Sequence, residues 1–350
     1  MSNTFKNAQN RLSAVAATIT GVFNGESVTF PPFDELPKVE SEPQGCLWGF
    51  FDKDGKKDEC GMLNVLTPSL VLSARNEIQT GTHIQLDWPL HNLQFPVLGR
   101  QPLSQRKIDL KESFNFISMD DELHFNTQSG SQWDSLKHFG HQKTGKYYNG
   151  LTHEEARSSD RNGIHNWCER GGIVGRGVLV DWLAWYEQKN GVGSAPSAVS
   201  RHEIPLEEVE ETLKWQGTTL KFGDVLMLRS GYVRWHNQAS TTARKSGTQE
   251  NNIAIGLRAS EEAVRWLYSH HFAAVVGDTV AFEAWPPAFD GWCLHEWLLT
   301  QWGTPIGELW DLEKLSETCK EKKRYTFFLT SAPLHVRGGV GSPPGAIAIL

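Results

Sequence analysis

The residues from Gln128 to His141, "QSGSQWDSLKHFGH", gather two glutamines, an aspartate and two histidines beside Gly130 and Trp133. Lone pairs at this density point either to a cation site or to a hydrogen-bonded polar turn. Read as an extended segment, "HFNTQSGSQWD" places Gln128, Gln132 and Asp134 on one face, and Gly130 leaves room between them. A helical turn starting at Asp134 would keep His138, four residues on, at its side. A carboxylate, two amide oxygens and an imidazole meeting at one place would furnish half the shell of a divalent cation. Glutamine is a weak, neutral ligand, and Asp134 alone could cap an Asx turn, so spacing leaves both readings open.

The elements that must position these residues alternate along the chain. "LTPSLVLSARNEIQTG" predicts a helix with Thr67 as N-cap, Pro68 in its first position and Gly81 as its stop. "THIQLDWPL" alternates like a strand. "GRGVLVDWLAWY" reads as a buried strand feeding a helix, "PLEEVEETLKWQG" as an amphipathic helix ending at Gly217, and "GDVLMLRSGY" as a second buried strand. "ASEEAVRWLYSHH" predicts a helix capped by Ser260, with "FAAVVGDT" following as a strand. "YTFFLTSAPLHV" and "GAIAIL" complete the set. Such alternation predicts an α/β fold with a mixed central sheet and flanking helices. Residues 1–45 read as an extension, with a helix near 5–18 and a proline-bearing linker. Residues 46–350 read as a single domain.

Beyond spacing, the motif resembles the signature of the cyclase family of metal-dependent hydrolases, which includes arylformamidase and isatin hydrolase. That signature is H-x-G-T-H-x-D-x-x-x-H. Here it runs Gln128-Ser129-Gly130-Ser131-Gln132-Trp133-Asp134 and on to His138, with glutamines in place of the two leading histidines. "LWGFFDKDGKKDECGMLNVLTP", "GVLVDW", "LHEWLL", "TPIGELWDLEKL" and "APLHVRGGVGSPPGAIAI" resemble further parts of the family pattern through most of residues 45–350. The resemblance implies a barrel-like β/β/α domain of the cyclase type and a divalent metal. Its ligands would be Asp134, His295 and Glu308, with Gln128 and Gln132 in the places of the lost histidines. It implies His138 as general acid/base and Trp48 as a substrate contact, and Trp133 and His141 are further candidates for substrate contact.

Exchanging two imidazoles for amide oxygens hardens the donor set, which favours Mn(II) while leaving Zn(II) or Mg(II) open. The implied reaction is hydrolysis of an amide or lactone bond in a small cyclic or aromatic metabolite. A lyase, isomerase or true cyclase using the same pocket is the alternative, as is a metal-free relative that only binds ligand. Without the resemblance, His138 reads equally as a helix-start histidine bonded to a backbone carbonyl, His295 as a packed one and Glu308 as a helix cap. His124 and His141 flank the motif as possible substitutes for the missing imidazoles. Asp278, at the end of a predicted strand, is either functional or a turn former. "GGVGSPPG" reads as a turn.

Composition narrows the class. A chain of 350 residues with 39% hydrophobic residues can bury a substantial core. A formal net charge of -7, spread rather than blocked, argues against a nucleic-acid or anionic-membrane surface. The five cysteines lack framework spacing, and no window approaches the roughly 18 apolar residues of a membrane span. A cytoplasmic protein is expected, acting on a small molecule and assembling, as the family does, into a homodimer or homotetramer. Fourteen tryptophans serve either a packed core or an aromatic pocket.

Overall fold

Runs of β-branched and aliphatic residues become the middle of a sheet, because only strands covered on both faces can bury them continuously. The computed structural model describes residues 21–23 and 26–350. The helix expected near 5–18 lies outside them. The strands of the main sheet are β1 (His83–Gln85), β2 (Gln132–Asp134), β3 (Ile173–Val180), β4 (Val225–Leu228), β5 (Ala274–Gly277), β6 (Ile306–Glu308), β7 (Thr326–Ser331), β8 (Gly341–Ser342) and β9 (Ala346–Ile349). Their spatial order is β8-β2-β6-β5-β4-β3-β7-β9-β1, nine strands in a mixed sheet that curls into half a barrel. The four central strands β3, β4, β5 and β6 are parallel, and the strands on both flanks run antiparallel to their neighbours.

Helices α1 (Pro68–Ala74), α2 (Trp182–Asn190), α3 (Leu206–Gln216), α4 (Tyr232–Gln238), α5 (Glu261–His270) and α6 (Glu313–Lys322) flank the sheet. Local chemistry explains their ends. Thr67 accepts from Leu70 N–H and Pro68 opens α1, while Ser260 accepts from Ala263 N–H at the start of α5. Gly217 ends α3 at a φ of 64°, a left-handed conformation that costs glycine little. Helix α1 is shorter than its sequence predicts: it gives way to a tight turn at Arg75–Glu77 before Gly81 is reached. Glu77 there is held by Arg176 and Arg324.

Residues 30–45, expected as a linker, lie against the domain. Phe30 stacks on His271 at 4.2 Å, the Tyr268 hydroxyl donates to Pro31 O at 2.7 Å, and Leu36 is buried. All five cysteines are free, and among the described residues no helix is long and apolar enough to cross a membrane.

Candidate functional site

Strand β2 lies between the edge strand β8 and β6, with Gln132 opposite Glu308, Trp133 opposite Gly307 and Asp134 opposite Ile306. Alternation along the strand therefore sends Gln132 and Asp134 to the face that carries Glu308. Only three residues are extended, fewer than the sequence predicts, and Gln128 sits in the preceding turn. It still reaches the same place: its Nε2 donates to Asp134 Oδ1 at 2.6 Å, and its Oε1 accepts from Gln132 Nε2 at 3.1 Å. Gly341 of β8 is what leaves it room, since a Cβ there would stand 2.8 Å from Gln128 Nε2. "GGVGSPPG" is thus a turn that also supplies an edge strand over the site.

From the far end of the chain, His295 opens a π-helical segment, Glu296–Trp302. Such segments occur often where a side chain must be aimed. His295 Nε2 lies 3.1 Å from Glu308 Oε1, while Gln132 Nε2 donates to Glu308 Oε2 at 2.6 Å. One donor atom from each of Asp134, His295 and Glu308 can be chosen so that all lie within 4.8 Å of one another, and all three residues are buried. His138 follows a β-turn closed by its own N–H on Ser135 O, not the helical turn expected, and its Nε2 stands 3.9 Å from Asp134 Oδ1.

One residue of this centre has no place in the sequence reading. Glu283, fully buried, accepts from both the N–H of His295 (2.9 Å) and its Nδ1 (2.8 Å), and also from Leu294 N–H (3.0 Å). It fixes the ring so that Nε2 faces Glu308, the arrangement by which a carboxylate orients a metal-ligating histidine. The available signal was a lone glutamate inside the apolar run "VAFEAW".

Electrostatics set these groups apart. Burial opposes a charge on His295, but its bonds to Glu283 and Glu308 outweigh burial and raise it to about 10. Burial, reinforced by the Asp134 carboxylate, pushes Glu308 up to about 7 against the pull of His295. Burial holds His138 below its ordinary value despite Asp134 beside it, so its ring is neutral at physiological pH.

Two oxygens in the cluster, Asp134 Oδ2 and Gln132 Oε1, are buried without a hydrogen-bond partner. Orphaned lone pairs of this kind are costly and uncommon. Both belong to residues facing Glu308 and His295, so the donor set fits a divalent cation. The set is rich in oxygen and has a single imidazole.

The other candidates fall elsewhere. Trp133 is corrected to a core residue: it points to the opposite face, packs edge-on against Trp310 at 4.9 Å and donates its indole N–H to Ser331 Oγ. Trp48 donates its indole N–H to Thr300 O, and packs beside the core. His141 is engaged by Thr144 in a turn, at 3.0 Å, and His124 is exposed at the end of the hairpin strand Met119–His124. Neither takes the place of a missing imidazole. Asp278 is a turn former, accepting from Ser230 N–H, its hydroxyl and Gly231 N–H. The rings of Phe139 and Trp285 lie 5.1 and 6.0 Å from the His295 ring. An open groove of about 590 Å³ lined by Asp54, Lys56 and Arg170 contains none of these site residues.

Comparison with known proteins places this geometry in context. A family model described as "Putative cyclase" matches residues 74–284. A crystal structure titled as that of a novel cyclase is 29% identical, with a TM-score of 0.75 over 87% of this chain and 99% of its own. Isatin hydrolase A from Labrenzia aggregata, bound to benzyl benzoate, is 15% identical with a TM-score of 0.54, over 76% of this chain and 93% of its own. Isatin hydrolase A from Ralstonia solanacearum is 18% identical with a TM-score of 0.53, over 81% and 98%. At these two identities the likeness is one of fold. Among curated proteins, no match to the chain was found.

Proposed function

Because the chain belongs to the cyclase family, we propose that it is a metal-dependent hydrolase opening an amide or lactone bond in a small cyclic or aromatic metabolite. The observation that carries this reading is the convergence of Asp134, His295 and Glu308, together with the unpartnered Asp134 Oδ2 and Gln132 Oε1. Those residues would hold a divalent cation, Mn(II) before Zn(II) or Mg(II), because oxygen donors outnumber nitrogen. When bound, such a cation supplies Lewis acidity, activating water and polarising a carbonyl near neutral pH.

The chain's own residues do the rest. His138, neutral and next to the cluster, takes a proton from the attacking water and returns it to the leaving nitrogen or oxygen. Gln128 and Gln132 hold the carboxylates of Asp134 and Glu308 in place through their amide N–H groups. Glu283 keeps the His295 ring oriented. Phe139 and Trp285 offer faces for a flat ring. The test is hydrolysis of a panel of aromatic lactones and anilides in ¹⁸O-labelled water. Label in the new carboxyl group, lost in both Asp134→Asn and His138→Gln, supports the reading. An Asp134→Asn protein as active as the wild type defeats it.

A second reading draws on Glu308. A buried carboxyl raised to about 7 beside His295 is poised to exchange protons at neutral pH without any cation. That would suit a lyase or isomerase, and unlabelled products from the same panel would favour it. A homodimer or homotetramer is also proposed. Exposed apolar side chains at Phe114, Ile117 and Met119, at the tip of the hairpin spanning 104–124, support it. Light scattering of the purified protein tests the assembly.

A further inference from the structure

Thr300 lies in the π-helical segment Glu296–Trp302 and is fully buried. A buried helical threonine can spend its hydroxyl on the carbonyl four residues back, as Thr212 does with Glu208 O and Thr318 with Lys314 O. Thr300 does not. Its hydroxyl crosses to another part of the chain and donates to Phe139 O at 2.8 Å, although 161 residues separate the two. Phe139 directly follows His138. Parting them would leave a buried hydroxyl without a partner, which is costly.

The segment that carries Thr300 is itself held at both ends. In a π-helix each N–H reaches back five residues, which is the spacing of Thr300 and His295. Gly303 N–H closes such a ring on Leu298 O. Near the end of the segment, where intrahelical donors run out, Thr300 O accepts from Trp48 Nε1–H at 2.7 Å and Gln301 O from Leu47 N–H at 2.7 Å. At the start, Glu283 grips both the N–H and the ring of His295. From this clamped segment a second bond reaches the turn after His138. Gln142 N–H donates to Glu296 Oε1 at 2.7 Å, and the Phe139 ring lies 5.1 Å from that of His295. Hydroxyl, carboxylate and ring all bear on the residues just past His138.

We propose that Thr300 is a positioning residue of this site. Its hydroxyl joins the peptide after His138 to the segment that aims His295, and so sets the distance between the proton-transfer group and the cation ligand. The inference rests on the hydrolase reading for the role of His138, and names what keeps that side chain in reach. Local structure does little to place it. His138 follows a turn closed by its own N–H on Ser135 O, and its Nε2 stands 3.9 Å from Asp134 Oδ1, beyond hydrogen-bond reach. The ring is therefore placed by its backbone, and Thr300 and Glu296 hold the backbone that follows it.

The experiment uses the whole chain, loaded with Mn(II), as wild type, as Thr300→Val, which keeps the shape without the hydroxyl, and as Thr300→Ser, which keeps the hydroxyl. Backbone hydrogen exchange, steady-state kinetics on the best aromatic lactone of the panel above, and Mn(II) titration of chelator-treated protein are the readouts. In Thr300→Val, exchange over residues 136–142 should quicken by about three- to tenfold, with residues 173–180 in the central sheet unchanged. Its kcat should fall by roughly tenfold or more, while KM and Mn(II) affinity stay within about threefold. Thr300→Ser should match wild type throughout. A threonine that serves stability alone gives another pattern, with faster exchange everywhere and an unchanged kcat in the folded enzyme. That pattern, a Thr300→Val protein like wild type, or a Thr300→Ser protein as impaired as Thr300→Val overturns the inference. Thr300→Ala takes the place of Thr300→Val should circular dichroism show that variant unfolded. A failed hydrolase assignment shows separately, as a wild type that hydrolyses no lactone, and exchange over 136–142 then still decides whether Thr300 holds the turn.

Discussion

Gln132 Nε2 donates to Glu308 Oε2 at 2.6 Å across two antiparallel strands, although 176 residues separate them in the chain. The contact is the seam of the site. On one side stands the motif that supplies Asp134 and His138, and on the other the C-terminal segment that supplies His295 and Glu308. A glutamine here donates to a carboxylate and also keeps a free oxygen, Oε1, turned to no partner. A neutral histidine at the same position would also donate through one ring N–H, but the lone pair it leaves for a cation would be on nitrogen instead of oxygen. Gln132 therefore ties the two halves together while leaving its amide oxygen for a cation, and Gln128 steadies Asp134.

His138 is separable from cation binding. His138→Gln should lower kcat by about 10²- to 10⁴-fold, the usual contribution of a positioned general base. Mn(II) affinity should stay within a few-fold of wild type. The pH profile of kcat/KM adds a sign. Burial holds His138 below 6.5, so activity should rise with pH through an acid limb lying below that value, and the limb should vanish in the variant. An unchanged limb would assign it to another group.

Glu283 is expected to act through His295. Glu283→Gln keeps the shape but removes the charge that His295 Nδ1 and two backbone N–H groups meet. Loss of such an outer carboxylate costs about 10- to 100-fold in metal affinity or activity in comparable centres. Mn(II) titration and steady-state kinetics measure both. A variant with wild-type affinity and rate would make Glu283 a packing residue only.

Acid stability should depend on His236, which has no part in the proton transfer proposed here. Its ring is buried edge-on against Trp88, both nitrogens lack partners, and burial depresses it to about 4. The unfolded chain binds a proton at this histidine near 6.5 while the folded one refuses it, so stability is intact above 6.5 and lost as pH falls toward 4. The span corresponds to about 3 kcal/mol. Urea midpoints measured at pH 7 and pH 4.5 should differ less in His236→Phe than in wild type.

Trp133→Ala should act on stability. The indole fills the core between Trp167 and Trp310, and truncation of a buried tryptophan costs about 3–5 kcal/mol. Chemical denaturation is the measurement. A substrate-specific rise in KM with unchanged stability would instead return Trp133 to the pocket.

What could be read in advance divides along physical lines. Strand and helix identities were legible where local chemistry decides them: Thr67 and Ser260 as caps, Gly217 as a stop, and the apolar runs that become β3, β4 and β5. Asp134 and Glu308 were paired through resemblance to a family pattern, since no local rule joins residues so far apart. Trp133 was a candidate through its nearness in the motif, and the structure buries it against Trp310. Strand parity already separated it from Gln132 and Asp134, one residue on either side. Glu283 stayed hidden because its role arises from a tertiary contact, with a histidine 12 residues away.

The central claim is that one divalent cation is gripped by residues from both halves of the chain. Calorimetric titration of chelator-treated protein with Mn(II) addresses it most directly, using wild type beside Asp134→Asn and Glu308→Gln. One ion per chain in wild type, with affinity falling by at least about tenfold in each variant, is the expected result. An ion that binds all three proteins equally, or that fails to bind wild type, would contradict it.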